Sequence, residues 1–266
     1  MKKLHFYFRT QLEFSCPVTE QFFVLRFVPQ TDSKQQILNL DFRVEPVEHW
    51  GMQRDNFGNR ILNGSCRLPH TTFSFEVQGK AFVHKGYTED EECDEKFAYP
   101  SEMTQVSEEM GDFFRRHACA EPDDVRKAVR YMHIIYETMA YRPGTTDLNT
   151  TAAQAMAQKC GVCQDYAHLL IAFCRSEGIP ARYVAGIFLG EGETHAWVEI
   201  YVGGRWYALD PTRNQLADDQ YIKLSHGRDC RDCMVDRGTF VGNAMQTQMV
   251  YMKVEEEFTS IEDTKN

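Results

Sequence analysis

The chain has 266 residues, 42% of them hydrophobic and 26% charged, with a formal net charge of −10 at pH 7. That length holds one large domain or two modest ones, and the composition is that of an ordinary globular protein, not of a disordered or collagen-like chain. The acidic balance lacks the basic footprint that nucleic-acid binding requires, and no run of about 18 apolar residues offers a membrane span.

Along the chain, the start carries Lys2 and Lys3, but Arg9, Gln11 and Glu13 interrupt any apolar stretch of signal-peptide length. Export is therefore not expected. The nine cysteines are an odd count without the regular spacing of a disulfide scaffold, so a cytoplasmic protein with reduced thiols is the expectation.

Residues 1–84 read as β structure. Leu38, Leu40, Phe42 and Val44 alternate with Asn39, Asp41, Arg43 and Glu45, and Phe73, Phe75 and Val77 alternate with Ser74 and Glu76. Asp55-Asn56-Phe57-Gly58-Asn59 is turn chemistry between strands. A small β-sandwich domain is predicted here. Residues 85–103 hold Glu89, Asp90, Glu91, Glu92, Asp94 and Glu95, and are assigned as a solvated acidic linker without function.

A second domain is expected over 104–258. Pro122, Asp123 and Asp124 suit a helix start, and Val125, Ala128, Val129, Met132, Ile135, Tyr136 and Met139 follow helical spacing up to Arg142-Pro143-Gly144. A second helix from Cys163 to Glu177 is apolar nearly all round, so it runs through a core. Strands follow at 181–189, 194–202, 205–209 and 246–254, which makes the domain α+β. Residues 259–266 read as a polar tail.

Cys163 stands at the start of the buried helix, where unpaired backbone N–H groups and the helix dipole favour a thiolate. A cysteine nucleophile needs a base, and His195 opens a strand whose polar face is His195, Trp197, Glu199 and Tyr201. Gly203-Gly204 is a two-residue hairpin turn. Pairing Val202 with Arg205 sets Trp197 opposite Asp210, which makes Asp210 a diagonal neighbour of His195 at a Cβ separation of roughly 7 Å or less. Asp210 then fixes one ring nitrogen while the other takes the proton of Cys163. The Cys163 backbone N–H is the natural oxyanion donor, with Tyr141 or Gln158 as candidate for a second. His168 lies five residues past Cys163, turned about 140° and raised about 7.5 Å along the helix, and is read as a satisfied helix histidine.

Four motifs in order, Gly161-Val162-Cys163-Gln164-Asp165-Tyr166-Ala167-His168, Gly178-Ile179-Pro180-Ala181-Arg182-Tyr183-Val184, His195-Ala196-Trp197-Val198 and Leu209-Asp210-Pro211-Thr212, resemble bacterial transglutaminase-like proteins of cysteine-protease type. Gly227-Arg228-Asp229, Arg237-Gly238 and Val241-Gly242 fit the C-terminal part of that family, and Leu25-Arg26-Phe27-Val28-Pro29 its N-terminal β domain. The resemblance implies a papain-like α+β core behind a β domain, and a triad of Cys163, His195 and Asp210. It departs at Cys230-Arg231-Asp232-Cys233, where an aromatic residue is expected.

An amide hydrolase working through a thioacyl-enzyme follows from these residues, with a peptide or protein amide as substrate and no cofactor, since no nucleotide, flavin or calcium motif stands out. Three other readings compete. An amine in place of water makes the enzyme a transglutaminase. Cys160 with Cys163 and Cys230 with Cys233 form two CxxC pairs, the ligand pattern of a structural zinc site or, for the first pair, a redox dithiol. The fold also serves as a non-catalytic peptide-binding module.

Overall fold

The computed structural model of the chain describes residues 1–89 and 91–257, so the polar tail expected at 259–266 lies outside the described residues. Strand β1 (Lys2–Leu25) is the spine of the N-terminal unit. Leu4, Phe6, Phe8, Thr10, Leu12 and Phe14 are buried at even positions, whereas Gln21, Phe23 and Leu25 are buried at odd ones. The pairing register shifts between Glu13 and Val18 and again between Thr19 and Phe22, and the buried positions change from even to odd across the second, since Val18 is still buried. Such a slip moves the side chains to the opposite face, which lets one strand serve two sheets.

Strands β2 (Gln35–Glu45), β3 (His49–Arg54), β4 (Arg60–Cys66) and β5 (His70–Val83) complete the predicted β region. β5 lies between the first half of β1 and β2, and β4 lies between the second half of β1 and β3. The turn expected between strands joins β3 to β4: Asp55 Oδ1 accepts from the backbone N–H groups of Phe57 (2.9 Å) and Asn59 (3.0 Å). Phe8, Phe23, Phe27, Phe73 and Phe75 fill the sandwich interior, each contributing about 2 kcal/mol by burial.

The second unit begins with β6 (Tyr87–Thr88), then α1 (Glu108–His117), α2 (Asp124–Thr138), β7 (Ala140–Tyr141), α3 (Ala152–Gln158), β8 (Cys160–Gly161) and α4 (Cys163–Ser176). Asp123 caps α2 by accepting from the Arg126 N–H at 2.9 Å. Every residue of α4 from Gln164 to Arg175 is buried, as its continuous apolar pattern requires. Phe173 meets the Tyr131 ring of α2 at 4.4 Å. The helix packs on a sheet of β9 (Ala181–Phe188), β11 (His195–Val202), β12 (Arg205–Asp210), β13 (Gln215–Leu216) and β14 (Tyr221–Gly227), in the order β13-β12-β11-β9-β14 with β6 on β12. The short β10 (Gly190–Gly192) lies between β9 and β11 in sequence, and β15 (Asp236–Val241) and β16 (Gln246–Glu256) close the described chain. Among the described residues no helix is long and apolar enough to cross a membrane.

Two expectations need correction. The expected boundary assigned 246–254 to the second domain, whereas β15 and β16 both pair with β1 and complete the N-terminal sheets. The N-terminal core in turn takes in Ile187, Ile222 and Leu224 from β9 and β14, so the two units share apolar packing. The acidic segment, expected to be a solvated linker, sends Glu91 inward. There it makes a bidentate pair with Arg182 (2.7 Å to each terminal nitrogen), and Arg182 also reaches the buried Glu199 at 2.7 Å. A buried guanidinium without both carboxylates would carry an uncompensated charge.

Candidate active site

The start of α4 is set by a carboxylate. Asp165 Oδ2 accepts from the Val162 backbone N–H and from the Thr146 hydroxyl, both at 2.7 Å, tying the preceding loop to the first helical turn. Gly161 makes room for this: a Cβ there would lie 2.4 Å from Asp165 Oδ2. Burial raises the Asp165 carboxyl above its ordinary range. Cys163, half-buried, is therefore held on a rigid first turn whose N–H groups lack partners within the helix.

His195 and Asp210 are placed by the hairpin. Gly203 and Gly204 adopt φ of 58° and 81°, the paired positive angles that a tight two-residue turn demands. The ladder runs from Val202 opposite Arg205 to Val198 opposite Leu209, the register expected from the sequence. His195 Nε2 lies 2.7 Å from Asp210 Oδ2. On the other side of His195, β9 presents Gly186, where a Cβ would come within 2.3 Å of the Trp197 ring. The imidazole is walled by Phe188 and Trp197, at ring separations of 5.1 and 6.5 Å.

With Nε2 committed to Asp210, Nδ1 is the nitrogen left for Cys163. Burial opposes a charge on His195, but the hydrogen bond to Asp210 and then the neighbouring Cys163 sulfur outweigh it and hold the ring at about 9, against an ordinary 6.5. The ring is thus an imidazolium at neutral pH. Asp210 is fully buried and accepts four hydrogen bonds. Oδ1 takes the Thr212 and Arg213 N–H groups at 3.0 and 3.2 Å, and Oδ2 takes the Tyr221 hydroxyl at 2.8 Å besides the imidazole. Gln215 donates to that hydroxyl at 2.8 Å. Sequence reasoning missed Tyr221 and Gln215. Nothing local marks them, because the pairing of Tyr221 with Phe188 across β14 and β9 is what brings the phenol to Asp210.

Cys163 and His195 line one cleft of about 860 Å³, together with Phe8 and Thr10 of β1 and Gln248 and Val250 of β16. Tyr141 also lines it, beside Gly161 in the two-stranded β7–β8 ladder, whereas Gln158 at the end of α3 does not. Tyr141 is thus the one of the two suggested donors positioned near the sulfur.

The remaining candidates fall elsewhere. His168 is fully buried and accepts the Cys230 N–H at 3.2 Å through Nε2, and burial lowers it to about 4. The expectation of a satisfied histidine holds for that nitrogen only, since Nδ1 has no partner among the described residues. Cys230 and Cys233 contact the carbonyls of Leu148 and Tyr183 at 3.8 and 3.7 Å, and burial pushes Cys230 to about 12 and Cys233 well above its ordinary value. Among the described residues no three His, Cys, Asp or Glu side chains converge as a metal site.

Residues 114–211 match the transglutaminase-like superfamily core, and residues 4–81 match the bacterial transglutaminase-like N-terminal region. An uncharacterized protein of Mycobacterium leprae is 28% identical over 261 residues, an alignment covering 86% of this chain and 90% of that one. One of Mycobacterium bovis is 36% identical over 126 residues, covering 41% of this chain and 40% of its own. The crystal structure of a candidate cysteine protease from Cytophaga hutchinsonii superposes with a TM-score of 0.80 at 25% identity, over 98% of this chain and 92% of that one.

Proposed function

The chain belongs to the transglutaminase-like superfamily, and from that premise we propose that it is a cysteine-nucleophile amide hydrolase with Cys163, His195 and Asp210 as its triad. The observation that carries this reading is the bond from His195 Nε2 to Asp210 Oδ2 at 2.7 Å, which leaves the opposite ring nitrogen for the Cys163 sulfur.

In the reaction, His195 holds the proton of the Cys163 thiol and the sulfur attacks the carbonyl carbon of a bound amide. The oxyanion that forms faces the first turn of α4, where the Cys163 N–H is the donor nearest to the sulfur. Imidazolium then gives its proton to the departing amine as the C–N bond breaks, leaving a thioester on Cys163. Water attacks the thioester, its proton passes to His195, and the carboxylic acid leaves as the C–S bond breaks. Asp210 stabilises the imidazolium in both halves through its bond to Nε2.

An amine that outcompetes water at the thioester gives a new amide instead of an acid. Incubation with casein and a fluorescent primary amine separates the outcomes: the proposal expects peptide or ammonia release without dye incorporation, and loss of that release in Cys163→Ala. Product release that persists in Cys163→Ala contradicts it.

A further inference from the structure

One edge of β16 runs from the paired part of the fold into the cleft without a partner. Its inner edge is paired to β1 along its length, from Leu4 opposite Glu256 to Phe14 opposite Gln246. Its outer edge is paired only with β10, from Gly190 opposite Val254 to Gly192 opposite Met252. There the chain peels away through Glu193 and Thr194 to His195. From Tyr251 back to Gln246 the outer edge has no strand partner among the described residues.

An open strand edge is a template for another chain, and soluble proteins blunt such edges with charges, proline or bulges. Gln246-Thr247-Gln248-Met249-Val250-Tyr251 carries no charge and no proline, while Lys253, Glu255 and Glu256 all lie beyond it, toward or past the stretch that β10 covers. Gln246 to Met249 are exposed, and so is Tyr251. The undefended stretch is also part of the cleft: Gln248 and Val250 line the same space as Cys163 and His195.

We propose that the free outer edge of β16, Gln246–Tyr251, docks a polypeptide substrate as an added extended strand in line with β10, delivering its backbone to Cys163. The inference rests on the hydrolase reading above and deepens it by naming the substrate class. Recognition through backbone N–H and C=O groups selects an extended peptide over a small amide and is tolerant of sequence. β10 shows that this edge accepts an antiparallel neighbour, and the point where β10 departs is the point from which the chain leads to the imidazole. Alternate side chains of the docked strand would face the cleft wall at Thr10 and Val250, and the others solvent beside Met249 and Tyr251.

The test uses the full wild-type chain with alanine-based chloromethyl ketones, which alkylate the nucleophilic sulfur with loss of chloride. A pentaalanyl ketone is expected to inactivate the protein about tenfold faster than its single-alanine counterpart, and N-methylation at alternate peptide nitrogens to slow it about fivefold per hydrogen bond lost. Hydrogen exchange on the alkylated protein is expected to show new protection at alternate amides of Gln246–Tyr251. Rates independent of length and methylation, with no new protection there, overturn the proposal while iodoacetamide still labels Cys163 selectively. A Cys163 that reacts selectively with neither reagent overturns the hydrolase reading as well.

Discussion

Tyr221 and His195 share one carboxylate oxygen: the phenol donates to Asp210 Oδ2 at 2.8 Å, and the imidazole Nε2 meets the same atom at 2.7 Å. The carboxylate next to the imidazole is therefore itself held from β14, three places from β12 in the sheet, beyond both His195's own strand β11 and β9.

Tyr221→Phe removes that donor while keeping the ring. A hydrogen bond to a charged group is worth about 1.5–3 kcal/mol, so catalytic turnover is expected to fall by about tenfold with the substrate KM little changed. Asp210, relieved of a donor, concentrates its charge on the imidazolium, so the pH at which His195 titrates should move up. The pH dependence of turnover checks both, and an unshifted profile at full rate contradicts the positioning role.

Gly161→Ala would drive a Cβ into the Asp165 carboxylate that caps α4. Relaxing that overlap is expected to cost about 1–3 kcal/mol and to displace Cys163. Urea denaturation and the labelling rate of Cys163 should fall together. A variant of unchanged stability that labels normally would show the tight approach to be unimportant.

Glu91→Gln tests the buried charge network. Burial acts to raise the Glu91 carboxyl, but the hydrogen bonds from Arg182 and the charges of Lys223, Arg182 and His226 overcome it and bring it to about 2, below its ordinary 4.5. A carboxyl lowered on folding adds stability above about 4.5, and that stability is lost as pH falls through about 2. The substitution is expected to cost about 3 kcal/mol at neutral pH, with the gap to wild type closing toward pH 2 in denaturation curves. A gap that does not change with pH contradicts the assignment.

How much of this could be read from the amino-acid order depends on how local each cause is. The register of the β11–β12 hairpin was legible because Gly203-Gly204 permits little but a tight turn, and the α4 start because Cys163 directly precedes a continuous apolar run. Other features had no local signature. β1 runs unbroken from Lys2 to Leu25, yet its buried positions change from even to odd after Val18, a switch set by the strands it pairs with. β16 pairs with a strand more than two hundred residues earlier, and no periodicity records a partner. Glu91 sits among acidic neighbours of the same type, and only the placement of Arg182 singles it out.

His195 ties stability to pH in the opposite sense from Glu91. Its folded value of about 9 exceeds the ordinary 6.5, so its contribution is fully present below about 6.5 and is lost as pH rises through about 9. Melting curves of wild type and His195→Gln should converge over that window, and turnover, which in the proposed hydrolase draws on the imidazolium to protonate the leaving amine, should fall through about pH 9. Parallel melting curves would contradict the raised value.

The most direct measurement is the iodoacetamide alkylation rate of each of the nine thiols, resolved by mass spectrometry at neutral pH in wild type and His195→Ala. The triad predicts that Cys163 reacts faster than the other thiols in wild type, and that the substitution slows it by about tenfold or more. A Cys163 that labels no faster than its neighbours, and equally in both proteins, would contradict the assignment of Cys163 as an activated nucleophile.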